Sequence, residues 1–290
     1  MREKVAIQGI EGSFHHQVAR EYFGKDVQVD ECMSFGDVVR SLTRGESGRA
    51  VMAIENSIAG SILPNYALID ENNLKIIGEH YIPIQMNLMA VPGRKIEDIK
   101  KVYSHPMALL QCKEFFSNYP HIRLIEDADT ASVAKRISEN NSQHSAAVAS
   151  KTAAELFGLE IIAADIHTIK SNTTRFLVLS AEEEKGIKNL SSNKASIKFV
   201  MESKEGSLVS ALNILRDFNL DMTKIQSVPV IEMPWKYAFF IDVVFDDPKR
   251  FRRAMEILEV MTETLKILGI YQNGLAAVAA APAKATASQL

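Results

Sequence analysis

Short apolar runs alternate with stretches of helical periodicity through the first 181 residues. Val5-Ala6-Ile7, Ala50 to Ile54, Lys101 to Tyr103, Ile122 to Ile125, Ala146 to Ala149, Leu159 to Ala163 and Arg175 to Leu179 read as strands, and Leu74 to Ile77 leads into an apolar run from Tyr81 to Val91. Between them, Phe35, Val38, Val39 and Leu42 form one helical face behind Ser34, a suitable cap. Leu109, Cys112 and Phe116 form another, Thr130 can cap a helix carrying Val133, Ala134 and Ile137, and Thr152 to Phe157 reads as a helix. Alternating strands and helices predict an α/β fold with a mostly parallel sheet.

The rhythm changes after a polar stretch at 182–193, rich in Glu, Lys, Ser and Asn, which reads as a linker. From 194 to 272 the pattern gives a strand (Ala195 to Met201), a helix (Ser207 to Phe218), two strands (Lys224 to Ile231, Lys236 to Phe245), a helix beginning at Pro248 and a final strand to Tyr271. The order βαββαβ is ferredoxin-like. The last stretch, 273–290, is rich in alanine and small polar residues, has no periodic apolar face to bury and is expected to be disordered.

A length of 290 residues suits two domains. The net charge of −3, with signs interspersed, offers no basic block for nucleic acid or an anionic membrane surface. No apolar run approaches the roughly 20 residues needed to span a bilayer, and the start lacks the apolar stretch of a signal peptide. Cys32 and Cys112 stand far apart with no metal spacing, so reduced thiols in a cytoplasmic protein are expected. His15-His16 has no further ligands at metal spacing.

Ligands of open α/β sheets bind beyond the carboxyl ends of the strands, so the following loops carry the candidate chemistry. They contain Ser13; Glu55, Asn56, Ser57 and Gly60; Ser104 and His105; Thr130; Ser150; and Asn172, Thr174, Arg175 and Phe176. Hydroxyls and backbone N–H groups at helix starts suit an anion, and an arginine can grip a carboxylate through two parallel hydrogen bonds. Any one of these serines or threonines can equally be a helix cap without a ligand. Taken together the loops suggest a pocket for a small carboxylate.

Gly9-x-x-Gly12-Ser13-Phe14, Ile54-Glu55-Asn56-Ser57-x-x-Gly60, Ser104-His105-Pro106 and Asn172-x-Thr174-Arg175-Phe176, in this order, resemble the successive signatures of prephenate dehydratases, and Ala147-Val148-Ala149-Ser150 fits as well. The region from 194 resembles an ACT domain, with Gly206-Ser207-Leu208-Val209 and Gln226-Ser227-Val228-Pro229 where that domain's phenylalanine-binding motifs lie. The resemblance spans roughly residues 4 to 272. It implies a two-lobed catalytic region like a periplasmic binding protein over 1–181, with the substrate in the cleft, and a regulatory domain over 194–272. It implies conversion of prephenate to phenylpyruvate without metal or organic cofactor, in a homo-oligomer, dimer or tetramer, that responds to L-phenylalanine. It leaves no segment for a fused chorismate mutase.

On this resemblance Thr174 is the catalytic hydroxyl, Arg175 a carboxylate anchor or a structural salt bridge, and Ser13, Asn56, Ser57 and Ser104 position the substrate. Glu55 is expected to orient its loop, since a second negative charge repels a dianion. His105 reads as a satisfied loop residue more than as an acid, and Phe14 and Phe176 as packing. Met107 stands where the family often has Gln, Thr168 where it often has Asp, and Gln226 and Val228 where Glu and Arg are common. Three rivals remain: an arogenate dehydratase, an inactive relative that binds an amino acid and signals, and a solute-binding protein, the last disfavoured by the βαββαβ unit and the start of the chain.

Overall fold

A computed structural model describes residues 4–182, 192–202, 204–230 and 233–275. Most of the expected linker (183–191) and tail (276–290) lie outside the described residues. In chain order the elements are β1 (Val5–Gln8), α1 (Phe14–Phe23), β2 (Val29–Cys32), α2 (Phe35–Thr43), β3 (Arg49–Asn56), β4 (Gly60–Ser61), α3 (Leu63–Glu71), β5 (Lys75–Pro83), β6 (Asn87–Ala90), β7 (Lys101–Ser104), α4 (Pro106–Gln111), α5 (Lys113–Ser117), β8 (Arg123–Glu126), α6 (Thr130–Glu139), β9 (Ser145–Ala149), α7 (Lys151–Phe157), β10 (Glu160–Ala163) and β11 (Thr173–Ser180). They continue with β12 (Lys194–Val200), α8 (Ser207–Asp217), β13 (Asp221–Pro229), β14 (Tyr237–Val244), α9 (Pro248–Met261) and β15 (Thr264–Tyr271).

Three sheets result, with orders β2-β1-β3-β11-β5 (β4 pairing β3), β10-β6-β9-β7-β8 and β13-β14-β12-β15. In the first, β1 lies parallel to β2 and β3. The second is mixed: β7 is parallel to β8 and β9, but β6 is antiparallel to β9 and β10. The chain enters this sheet at β6 straight from β5 of the first sheet, through residues 84–86.

The chain divides into two compact units, 1–65 with 82–176, and 66–81 with 177–290. The first has a continuous apolar core that includes Ile7, Val51, Ile82, Leu88, Val102, Val148 and Phe176. A second cluster packs Val133, Ala134 and Ile137 of α6 against Met89 and Ala147. The helix expected through Leu109, Cys112 and Phe116 is two short ones, α4 and α5, meeting at Cys112. The cap of α6 is Asp129, whose side chain accepts from Ser132 N, so Thr130 is the first helical residue instead of the cap. Ser34 caps α2 as its sequence predicts.

In the second unit, β12 alternates. Ala195, Ile197 and Phe199 join Ala211 and Leu215 of α8 and Phe251, Ala254 and Leu258 of α9 in one core. Lys194, Ser196 and Lys198 point the other way, as the period of two requires. Residues 66–81 meet that polar face. Lys194 Nζ lies 2.9 Å from both Glu79 carboxylate oxygens, and both side chains are essentially inaccessible. Asp70 takes Lys198 and Lys266, and Tyr66 stacks edge-on with Phe240 at 5.1 Å. A Cβ on Gly269 would fall 1.9 Å from the Ile76 carbonyl oxygen, so glycine is what lets these backbones touch.

A buried pair broken on one side leaves an uncompensated charge. Glu79→Ala is therefore expected to destabilise the second unit by about 3–5 kcal/mol, measured by denaturant unfolding. A loss under about 1 kcal/mol would mean that water reaches Lys194 and that the pair does not hold 66–81 in place.

Candidate active site

The loop after β1 ends at Ser13, since α1 begins at Phe14. Ser13 caps α1, its Oγ accepting from His16 N at 3.2 Å. Ser150 caps α7, accepting from Ala153 N at 3.1 Å, and donates to Gly12 O at 2.7 Å. Gly12 has φ 89°, and a Cβ there would meet Phe157 at 3.1 Å and Ala153 Cα at 3.2 Å. The Gly-containing loop is thus clamped onto α7. Ser104 is fully buried and donates to Val148 O at 2.6 Å. The hydroxyl protons of Ser104 and Ser150 are therefore committed to protein carbonyls. His105 caps α4, its Nδ1 accepting from Met107 N at 3.2 Å. Gly60, in β4 at φ 80°, pairs with Asn56.

Asn56 lies at the centre of the polar side chains that the fold brings together. Its Oδ1 accepts from the backbone N–H groups of Ile58 and Ala59 at 3.0 and 2.9 Å. Those two donors fix the amide orientation, since only the oxygen can accept. Nδ2 therefore faces β11, where it donates to Asn172 Oδ1 at 2.7 Å and to Thr174 Oγ1 at 2.9 Å. Asn172 in turn donates from Nδ2 to Gln111 Oε1 at 3.1 Å. Ser57 closes the loop onto β11: Ser57 N donates to Thr173 O at 2.8 Å and Thr173 N to Ser57 Oγ at 2.9 Å. Thr174 is 8 % exposed, and its oxygen already accepts from Asn56. Its hydroxyl proton has no acceptor among the described residues.

Successive strand residues face opposite ways. Phe176 shares the Thr174 face, where its ring meets His15 edge-on at 5.0 Å. His15 Nε2 accepts from Ala53 N at 3.3 Å, and complete burial pushes its pKa down to about 3, so it is a neutral core residue. Arg175 lies on the other face, buried and engaged within the protein. Glu55, also engaged within the protein, is only partly buried.

Beside this network is a cavity of about 620 Å³ whose lining includes Asn172, Gln111, Met107, Thr168 and His167. Met107 and Thr168, the two catalytic-region departures from the family pattern, thus face one space. Gln111 and His167 were not singled out in the sequence. Gln111 carried one signal: it follows Met107 by four residues and so shares its helical face.

In the second unit Gly206 precedes α8 with φ 80°, Ser207 and Leu208 are half-buried, and Val209 is exposed. Gln226 on β13 donates to the neighbouring Ser227 O at 2.9 Å. Among the described residues no three His, Cys, Asp or Glu side chains are grouped to hold a metal, and no helix is long and apolar enough to cross a membrane.

Residues 5–184 match the model of the family described as prephenate dehydratase. A bifunctional chorismate mutase/prephenate dehydratase of Aquifex aeolicus is 34% identical over 94% of this chain and 74% of its own length. Arogenate dehydratase/prephenate dehydratase 2 of Arabidopsis thaliana is 35% identical over 93% and 73%. Among solved structures, GqqA, described as a novel type of quorum quenching acylase, has a TM-score of 0.84 at 28% identity, covering 93% of this chain and 98% of that one. The prephenate dehydratase of Arthrobacter aurescens in complex with L-Phe has a TM-score of 0.83 at 23% identity, covering 93% and 90%, a likeness of fold. On the extent of the family match and the identity to these relatives, the chain belongs to the prephenate dehydratase family.

Proposed function

We propose that the chain converts prephenate to phenylpyruvate in L-phenylalanine synthesis. The observation that carries this is the Thr174 hydroxyl, oriented by Asn56 with its proton unclaimed, within the region that matches the family. In the reaction the bond from the ring to its carboxylate breaks, carbon dioxide leaves, and the electron pair enters the ring. The C–O bond to the ring hydroxyl breaks in turn, and the departing oxygen leaves as water after gaining a proton. The gain in aromaticity supplies the driving force. The protein has to orient the dianion and stabilise the negative charge that grows on the departing oxygen, which a donor fixed in advance does best. Thr174 is that donor in this reading. A threonine hydroxyl is a poor acid, so it acts as a hydrogen-bond donor or relay.

Asn56, Asn172 and Ser57 hold the Thr174 segment, and Ser13 with the backbone donors of the loops receives the substrate. Ser104, Ser150, Gly60 and Thr130 shape those loops. Arg175, on the opposite strand face and engaged within the protein, takes a positioning role here in place of the carboxylate contact that the sequence suggested. No cofactor enters the scheme.

The βαββαβ unit is, in this proposal, an ACT domain that binds L-phenylalanine near Gly206, Ser207, Leu208, Val209, Gln226 and Ser227 in a cytoplasmic homo-oligomer, dimer or tetramer. The L-Phe complex of the Arthrobacter protein supports the effector. Regulation follows only if phenylalanine prefers the less active of two states. The name of the Arabidopsis relative supports arogenate as a second substrate. The name of the acylase neighbour brings a second reading, hydrolysis of an acylated amide, which the apolar wall of the cavity beside Asn172 favours as a seat for an acyl chain.

Purified protein is expected to release phenylpyruvate from prephenate. Thr174→Ala should lower kcat by about 10²–10³, and Thr174→Ser should keep most of the activity. No turnover of prephenate, with arogenate or an N-acyl amide consumed instead, would replace the first reading with the corresponding one.

Calorimetry is expected to show L-phenylalanine binding at or below millimolar concentration, together with a fall in turnover. Absence of heat at that concentration would remove the effector from the account.

A further inference from the structure

His15 and His16 are neighbours in sequence and serve different structures. His15 is a core residue, whereas His16, also buried, reaches back over the start of α1. A helical side chain leans toward the N-terminus of its own helix. The Nδ1 of His16 accordingly meets the residue one turn earlier and accepts from Gly12 N at 2.9 Å. In return the backbone N–H of His16 donates to Ser13 Oγ at 3.2 Å. This is the reciprocal pattern of a capping box, moved one residue outward, with histidine where glutamate or glutamine usually stands.

The exchange completes the hydrogen bonding of the loop. Gly9 N donates to Cys32 O, Glu11 N to Glu31 Oε1, Gly12 N to His16 and Ser13 N to Ile10 O. The Gly12 carbonyl takes the Ser150 hydroxyl at 2.7 Å. Both polar groups of a glycine at φ 89° are thus held by side chains, at a position whose backbone is otherwise free to turn. Between Gly9 and Ser13 only the Ile10 N–H has no partner among the described residues, so it is the donor this loop can offer a ligand. A glutamate in place of His16 would accept as well, but would set a negative charge beside a loop that has to receive a dianion. The imidazole accepts without charge, its proton on Nε2. Burial lowers its pKa; Glu11 of the loop and Glu31 of β2 oppose this, and Arg20 of α1 adds to it.

We propose that His16 is a positioning residue, whose neutral ring holds the loop from Gly9 to Ser13 in the shape that presents the Ile10 N–H to a carboxylate of the substrate. The inference rests on the proposed turnover of prephenate for the identity of that anion. His16 touches no reacting atom, so its loss raises KM with little change in kcat. Protonation of the ring sets a second N–H against that of Gly12 and breaks the bond. Because the His16 pKa lies below its ordinary value, the bond is present at neutral pH and is lost as the pH falls through that lowered value. KM therefore rises on the acid side.

The test compares three variants of the full chain by prephenate turnover, read against an enzyme-free blank, and by amide hydrogen exchange of residues 9–13. His16→Leu removes the acceptor, and should raise KM about tenfold and speed the exchange. His16→Asn puts an amide oxygen where Nδ1 stood. It should keep the parent's KM at neutral pH and lose the acid-side rise. His16→Glu should keep the slow exchange and yet raise KM. A parent that turns over prephenate, with KM unchanged in the Leu and Glu variants, would overturn the inference and leave the reaction standing. An Asn variant with a raised KM, or one that keeps the acid-side rise, would overturn it too, and this arm decides the matter if the Leu variant does not fold. A parent that does not act on prephenate, with exchange still slow in parent and Asn variant and fast in the Leu variant, would overturn the reaction and leave the hold of His16 on the loop.

Discussion

The catalytic unit depends on one amide that can sit only one way. Two backbone N–H groups, from Ile58 and Ala59, meet the side-chain oxygen of Asn56, and only the oxygen of that amide can accept them. That requirement turns the Asn56 nitrogen toward β11, where it reaches Asn172 and Thr174 together. The tight loop after β3 and the loop before β11 are then tied through Ser57 and Thr173. The orientation of the Thr174 hydroxyl follows from a backbone turn more than a hundred residues away in sequence. An aspartate at 56 could accept from the turn but could not donate to the threonine.

The same economy explains why several expected substrate ligands face inward. Ser104 and Ser150 serve the scaffold: one crosses to Val148, the other pins Gly12. A serine after a strand is equally good as a cap, a clamp or a ligand, and sequence does not separate the three. Motif order named Asn56, Asn172 and Thr174, because those positions repeat as a set. It was silent on Gln111 and His167, whose roles come from where α4 and the segment before Asn172 meet in space. Strand alternation was readable from the outset and bears on Arg175, since neighbours on β11 cannot share a face.

Periodicity served the elements with clean stripes. α2 was legible from its cap and apolar spacing and α9 from the proline at its start, and the βαββαβ order was complete. α1 and β2 were not, because Phe14–Phe23 mixes His, Gln, Arg and Glu among its apolar residues and Val29–Cys32 carries two acids. The polar face of β12 gave no warning that residues 66–81 would cover it, since lysines in a strand ordinarily signal solvent. Their carboxylate partners lie more than a hundred residues away in sequence.

The most direct test of the Asn56–Thr174 unit is a double-mutant cycle on prephenate turnover, comparing Asn56→Ala, Thr174→Ala and the pair. If Asn56 acts by holding the threonine hydroxyl, the pair loses little more kcat than Thr174→Ala alone. Losses that multiply would show that the two residues act independently, and would contradict the arrangement on which the mechanism rests.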